Sequence, residues 1–167
     1  MKFKKVALIG CGLMGGSFAL AARMAGWAPH IVGYSASESS RQKALSMGVI
    51  DLALNSIEQA VTDADLILLA VPVTATEACF KVIAPALKPD ALLMDVGSTK
   101  SDIVAAALNT LGDKLHCFVP VHPIAGKEVA GVEHSDADLY KDRALIVTPM
   151  ISSGATQVQL AKQIWKS

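Results

Sequence analysis

The sequence predicts an α/β domain, doubly wound around a mainly parallel sheet, and three observations carry that reading. Short apolar runs alternate with helix-like segments along the whole chain, the order of parallel strands joined by right-handed crossovers. The strongest run, 66–71, reads Leu-Ile-Leu-Leu-Ala-Val without one polar side chain, as a strand covered on both faces requires. Hydrophobic residues make up 52% of the chain, enough to cover such a sheet on both sides. At 167 residues the chain is long enough for one domain with a substantial core and short for two.

In order, residues 6–9 form the first strand and 15–25 the helix that follows. Residues 30–34 give a second strand and 39–47 a second helix. Ser56-x-x-Gln59 opens a short helix, and Thr74-x-x-Glu77, after strand 66–71, reads as a capping box opening a helix to residue 87. Strand 91–96, helix 102–111 and strands 117–121 and 144–147 come next. The last helix begins at Gly154 and runs to the end of the chain, with Val158, Ala161 and Trp165 on one face. No repeat, low-complexity tract or linker interrupts this order, so residues 1–167 read as one domain.

Composition excludes several classes of function. Lys+Arg and Asp+Glu number 15 each, and no basic stripe is visible, so the electrostatic footprint of a nucleic-acid binder is missing. Cys11, Cys79 and Cys117 show no Cys-x-x-Cys spacing, which argues against a disulfide framework or zinc site and fits a reducing cytoplasm. His30, His116, His122 and His134 show no ligand spacing either, so no metal is expected. The N-terminus imitates an export signal, with Lys2, Lys4 and Lys5 before apolar residues and Leu8-Ile9-Gly10-Cys11 like a lipoprotein box. Its apolar stretch, 6–10, falls below the roughly 7–15 residues such a signal needs. No run approaches the roughly 20 apolar residues of a membrane span. A cytoplasmic protein without membrane or nucleic-acid partners is the expectation.

Gly10-Cys11-Gly12-Leu13-Met14-Gly15 is G-x-G-x-x-G between a strand and a helix, the context in which that spacing is informative. Gly10 permits the tight turn, Gly12 lets the backbone approach a pyrophosphate, and Gly15 lets helix and strand pack closely. Free amides at the helix start, including Leu13 and Met14, then face the phosphates. This makes the chain a Rossmann-type dinucleotide-binding domain. Twenty residues beyond Gly15 stands Ser35, where an NAD enzyme usually carries Asp or Glu for the ribose hydroxyls. A carboxylate there would repel a 2′-phosphate, and Ser35 does not. Ser35, Ser37 and Ser39 offer hydroxyls and Arg41 a charged fork. The reading favours NADP, with NAD as the alternative. On the competing reading the serines only cap the next helix and Arg41 is a solvated surface residue.

Ligands of open α/β sheets bind outside the carboxyl ends of the strands. Three segments should converge there: Val71-Pro72-Val73-Thr74, Asp95 to Lys100, and His122 to Gly126. Val71 and Pro72 are expected beside the cofactor. A histidine side chain ordinarily changes charge near neutral pH, so His122 is the residue type suited to taking a proton from an alcohol as hydride leaves. Ser98 could hydrogen-bond the same hydroxyl or orient His122. The plainer reading of His122 is a turn histidine bonded to backbone.

The segment His122-Pro123-Ile124-Ala125-Gly126-Lys127-Glu128, then Gly131, Leu139-Tyr140 and Leu145-Ile146-Val147-Thr148-Pro149, resembles the prephenate/arogenate dehydrogenase family. So do Gly97-Ser98-Thr99-Lys100 and Gly10 through Ser17. The resemblance spans essentially the whole chain. It implies oxidative decarboxylation of prephenate or arogenate in tyrosine biosynthesis, with hydride passed to NAD(P)⁺. It implies His122 as the base on the ring hydroxyl, Ser98 assisting, and Glu128 in a hydrogen-bonding group at the substrate-site entrance. It also implies a helical domain after this one, absent from this chain, that mediates homodimerisation and completes the substrate site. One position departs: family members often carry Gly before the histidine, and here Val121 stands there. Two other readings fit the glycine loop: another NADP reductase or β-hydroxyacid dehydrogenase, and a cofactor-binding module without catalysis.

Overall fold

The computed structural model describes residues 2–166. Six strands, β1 (Val6–Ile9), β2 (Ile31–Tyr34), β3 (Leu52–Ala53), β4 (Leu66–Leu69), β5 (Leu92–Asp95) and β6 (Phe118–Val119), form one sheet in the order β3-β2-β1-β4-β5-β6. Every pairing in it is parallel. The chain winds outward from β1 to β3, then crosses back to β4 and winds outward again. The reversal leaves a switch point beside β1 and β4, where such sheets open a ligand crevice.

Six helices cover the sheet: α1 (Leu13–Met24), α2 (Glu38–Ser46), α3 (Ile57–Val61), α4 (Thr76–Ala86), α5 (Lys100–Thr110) and α6 (Ala155–Ile164). Side chains alternate between the faces of a strand, and two cores result. Leu8, Leu66, Leu68 and Met94 pack with Phe18 of α1 and Ala161 and Ile164 of α6. Ile9, Ile67, Leu69 and Leu93 pack with Phe80 and Ile83 of α4 and Ile103 of α5. Every residue of β1, β4 and β5 is buried, as the unbroken apolar runs require.

Three local readings of the sequence are corrected, and one strand, β3, was not expected. The two-residue β3 lies in the three-residue run Leu52-Ala53-Leu54, too short to announce a strand, and its Leu52 is 46% exposed. The Thr74 capping box does not form: Val73–Ala75 make a 3-10 turn after Pro72, and α4 starts at Thr76 with Ala75 at the cap and no side-chain cap bond. The similar Ser56 start does form, with the Gln59 amide donating to Ser56 Oγ at 3.2 Å. The expected strand 117–121 divides at Pro120, which lacks the N–H a ladder needs. Beyond it β7 (Val121–Pro123) leaves the sheet and pairs antiparallel with β8 (Leu145–Val147). Helix α6 ends at Ile164 with Trp165 as its cap. Trp165 and Lys166 form a turn instead of the expected helix, and Ser167 lies outside the described residues.

Phe118 is fully buried and meets Phe80 edge-on, 5.1 Å between ring centroids. Phe118→Ala should lower stability by about 3–5 kcal/mol in urea unfolding. Leu108→Ala, at a site 58% exposed on α5, should stay within about 0.5 kcal/mol of the parent.

Candidate functional site

The glycine loop joins β1 to α1 at the switch point. Gly10 sits at φ +104°, and a side chain there would overlap the Ala70 carbonyl at the end of β4. A Cβ at Gly15 would lie 2.7 Å from Leu8 Cδ1 and overlap the Gly10 carbonyl. Both glycines are therefore demanded by the protein's own packing. Gly12 differs: a Cβ there would meet nothing within 4 Å, so its bare face opens outward, where a pyrophosphate would approach. The first helical bond of α1 runs from the Gly16 amide to the Gly12 carbonyl. The amides of Leu13, Met14 and Gly15 precede it, lack a helical acceptor and sit at the positive end of the helix dipole. This arrangement fits a dinucleotide. Half-buried Val71 and exposed Pro72 follow β4 at the same edge.

Ser35 directly follows β2, half-buried. Ser37 is the N-cap of α2: its Oγ accepts the Ser40 amide at 3.3 Å and lies 2.8 Å from Ser39 Oγ. The capping reading therefore holds for Ser37. Arg41 is not a freely solvated residue. Its guanidinium donates to the Ser35 carbonyl at 2.5 Å and Asn55 Oδ1 at 3.4 Å, and stands 5.8 Å from the centre of the Tyr34 ring. Those acceptors are uncharged, so the positive charge beneath Ser35 is not neutralised by them. Within the loop, Cys11 is buried against the Tyr34 carbonyl, and burial pushes its thiol up to about 12. It is no nucleophile at neutral pH.

His122 lies within β7 rather than beyond a strand of the main sheet, opposite Ile146. Val121 and Pro123 are buried and His122 is half-buried, so the imidazole leaves the core face that its neighbours occupy. It lines a groove of 410 Å³ with residues 123–126 and Arg143. Val121 has no positive φ, so valine fits before His122 without backbone strain.

An ion pair ties β7 to the main sheet. Asp95, the last residue of β5, is 2% exposed and bonded to Lys100 Nζ at the start of α5, itself 17% exposed. The Gly97 amide donates to Asp95 Oδ2 at 2.8 Å and the Val121 amide to Oδ1 at 3.3 Å. Lys100 Nζ also donates to the Val121 carbonyl at 2.7 Å. Burial pushes the Asp95 carboxyl up and the Lys100 ammonium down, and their attraction offsets part of each. Between them, Ser98 stands exposed on the turn. Lys100 is thus engaged inside the fold and not free to meet a substrate carboxylate. Lys127 is also taken, by Asp136 Oδ2 at 3.0 Å. Of Lys100, Lys127 and Arg143, Arg143 lines the His122 groove. Glu128 is exposed on the loop beyond it.

The segment before β8 returns to the glycine loop. Tyr140 Oη donates to the Met14 carbonyl at 2.7 Å, the Asp136 amide to Ser17 Oγ at 3.0 Å, and Ser135 Oγ to the Leu13 carbonyl at 3.5 Å. A Cβ at Gly16 would overlap Ser135 Oγ, so the second glycine of Gly15-Gly16-Ser17 admits this loop. Sequence reasoning gave Asp95, Ser135 and Asp136 no role. The signal for Asp95 was present: a carboxylate closing an otherwise apolar strand, five residues before a lysine. Ser135 and Asp136 carry no local signal, because their partners lie over 100 residues away. A further cleft, of 530 Å³, lies elsewhere, between α1 and α6 with Met24, Trp27 and Trp165 on its walls. Among the described residues no His/Cys/Asp/Glu cluster suits a metal ion, and no helix is long and apolar enough to cross a membrane.

Comparison with known proteins agrees with this architecture. The family model described as "Prephenate dehydrogenase, nucleotide-binding domain" matches residues 18–167. Cyclohexadienyl dehydrogenase of Zymomonas mobilis is 36% identical over 98% of this chain and 55% of its own length. Prephenate dehydrogenase of Bacillus subtilis is 32% identical over 96% of this chain and 43% of its own. The crystal structure of Aquifex aeolicus prephenate dehydrogenase with hydroxyphenyl propionate and NAD⁺ superposes with a TM-score of 0.91 at 35% identity, covering 99% of this chain and 57% of that one. Synechocystis arogenate dehydrogenase gives 0.86 at 25% identity, over 97% and 56%. Mycobacterium tuberculosis 3-hydroxyisobutyrate dehydrogenase, at 0.74 and 18% identity, shares the fold alone. The chain thus spans about half the length of the relatives it matches, from 43% to 57% of those named here, and it belongs to the family of prephenate dehydrogenase nucleotide-binding domains.

Proposed function

We propose that this chain is the nucleotide-binding half of an enzyme that oxidatively decarboxylates prephenate or arogenate, passing hydride to NAD(P)⁺ in tyrosine biosynthesis. The observation that carries the reading is His122: half-buried on a short strand tied to the end of β5, beside an Arg-lined groove at the sheet's carboxyl edge. The likeness to a structure holding NAD⁺ and hydroxyphenyl propionate supports it. In this reading the amides of Leu13, Met14 and Gly15 hold the pyrophosphate against the open face of Gly12, with Gly10 and Gly15 setting the loop and Val71 and Pro72 flanking the cofactor. The bound nicotinamide supplies the hydride acceptor. His122 takes the proton of the ring hydroxyl while that carbon loses its hydride and becomes a carbonyl. Loss of the ring carboxylate as carbon dioxide then restores aromaticity. Ser98 hydrogen-bonds the reacting oxygen, and Glu128 belongs to the site entrance. The chain's task is therefore mainly positioning and a matched base. His122→Asn, in a form of the protein that turns over, should lower kcat by about 10²–10⁴-fold and leave cofactor affinity nearly intact. Turnover within about threefold of the parent would remove His122 from the mechanism on that scale.

We also propose NADP⁺ as the preferred cofactor. Ser35 carries no charge to repel a 2′-phosphate, and the Arg41 guanidinium beneath it is held only by neutral oxygens. Titration calorimetry should show tighter NADP⁺ than NAD⁺ binding, and Ser35→Asp should reverse the order by facing the phosphate with a carboxylate. Tighter NAD⁺ binding by the parent would refute the preference.

The substrate half of the site is proposed to come from a helical domain following this one, which also forms a homodimer in the cytoplasm. Prephenate carries two carboxylates, and a planar or paired cationic clamp is the usual answer. Among the described residues, Arg143 is the one Lys or Arg that lines the groove. By itself the 167-residue chain should bind cofactor yet turn over prephenate and arogenate poorly, because orientation contributes about 7–11 kcal/mol to such reactions. Steady-state assays beside a version extended by a following domain check this, and equal activity in the two would overturn the division of the site.

A further inference from the structure

We propose that Asp95 and Lys100 are positioning residues that lock the turn bearing Ser98 to the strand bearing His122. The inference rests on the proposed roles of His122 and Ser98 and adds how the fold holds them. The β7–β8 ribbon has one hydrogen-bonded edge and one open edge at residue 121. Thr148 N donates to Pro120 O and Ile124 N to Ala144 O, so His122 and Ile146 form the intervening hydrogen-bonded pair, and Val121 opposite Val147 the non-bonded one. The N–H and C=O of Val121 therefore point away from β8. No further strand takes them. Asp95 accepts the N–H and Lys100 donates to the C=O, so two side chains do the work of a missing strand.

The consequence for His122 is geometric. The Val121 carbonyl belongs to the peptide plane that also contains the His122 nitrogen. Holding that oxygen holds the plane, and with it the direction in which the His122 side chain leaves the backbone. The same two residues close the turn that carries Ser98. Asp95 Oδ2 accepts the Gly97 amide, and the ion pair joins the start of the turn to its end at Lys100. A side chain at Gly97 would overlap Ile103 Cδ1, so the turn is packed from below as well. Ser98 and His122 thus sit on two segments fastened to one buried ion pair. A charge left behind by removing only one partner is destabilising in its own right. The double neutral replacement separates position from charge.

The test compares Lys100→Met, Asp95→Asn/Lys100→Met, Lys100→Arg and His122→Asn with the parent. In a form of the protein that turns over prephenate, the double variant should lose about 10²-fold in kcat, the scale of a roughly 1 Å misplacement. Its KM and its cofactor Kd should stay within about threefold of the parent, since neither residue is placed on a ligand. Lys100→Arg, which keeps a donor for both oxygens, should recover at least about tenfold of that loss. In the 167-residue chain, the His122 ring resonances should shift and broaden in the double variant and return toward the parent in Lys100→Arg. Parent-like kcat with parent-like ring resonances would overturn the proposal, and so would a loss of cofactor affinity in step with kcat, which marks a general structural role. Parent-like turnover in His122→Asn would instead refute the base assignment. The ring resonances would then still decide whether the ion pair positions His122.

Discussion

Strands β1, β4 and β5 are covered on both faces, and this double burial governs the rest of the molecule. A strand without a solvent face has no place for a polar side chain, so Leu66 to Leu69 are apolar throughout and their backbone groups are satisfied by parallel neighbours. Polar chemistry is displaced to the strand ends. There the backbone ladder runs out and helix termini begin, with unpaired amides at the start of α1. The crevice at the switch point follows from that constraint and from the order in which the strands are laid down.

At this edge two different devices bring groups close together. Around the cofactor, side chains are removed: Gly10 and Gly15 let β1, α1 and the Ala70 carbonyl pack closely, and Gly12 leaves its outer face bare. Around His122, a buried charge pair is added. Asp95 is the one charged residue in the buried strands of the sheet, and its cost in desolvation is offset by Lys100 and two backbone amides. A pair of hydrophobic residues of equal size would be at least as stable in general, but neither would hold the amide and carbonyl of Val121. The 131–140 segment then joins the two halves of the edge, with Tyr140 and Ser135 on the carbonyls of the first turn of α1. The cofactor loop and the His122 ribbon are in this way one connected structure.

Local pattern determined much of this molecule. Continuous apolar runs specified β1, β2, β4 and β5, since a two-sided burial leaves that signature in consecutive residues. The glycine spacing announced the loop because a tight turn and a close helix approach act over six neighbouring positions. The motif around His122 marked the family. Tertiary structure alone decided what depends on distant partners. Pro120 ended β6 after two residues, and only the presence of β8 made Val121–Pro123 a strand of its own. Ser37 and Arg41 were legible as polar groups near a ribose, but their hydrogen bonds assign Ser37 to the start of α2 and anchor Arg41 on the Ser35 carbonyl. The partner of Lys100 was not legible, because a sequence does not show which carboxylate a lysine faces. Asp95 lies five residues away, yet the Val121 carbonyl that completes its role is 21 residues distant and is brought near only when β5, α5 and β7 pack. Periodicity and spacing report forces that act between neighbours along the chain, and the placing of a buried charge is settled by the groups that folding gathers around it.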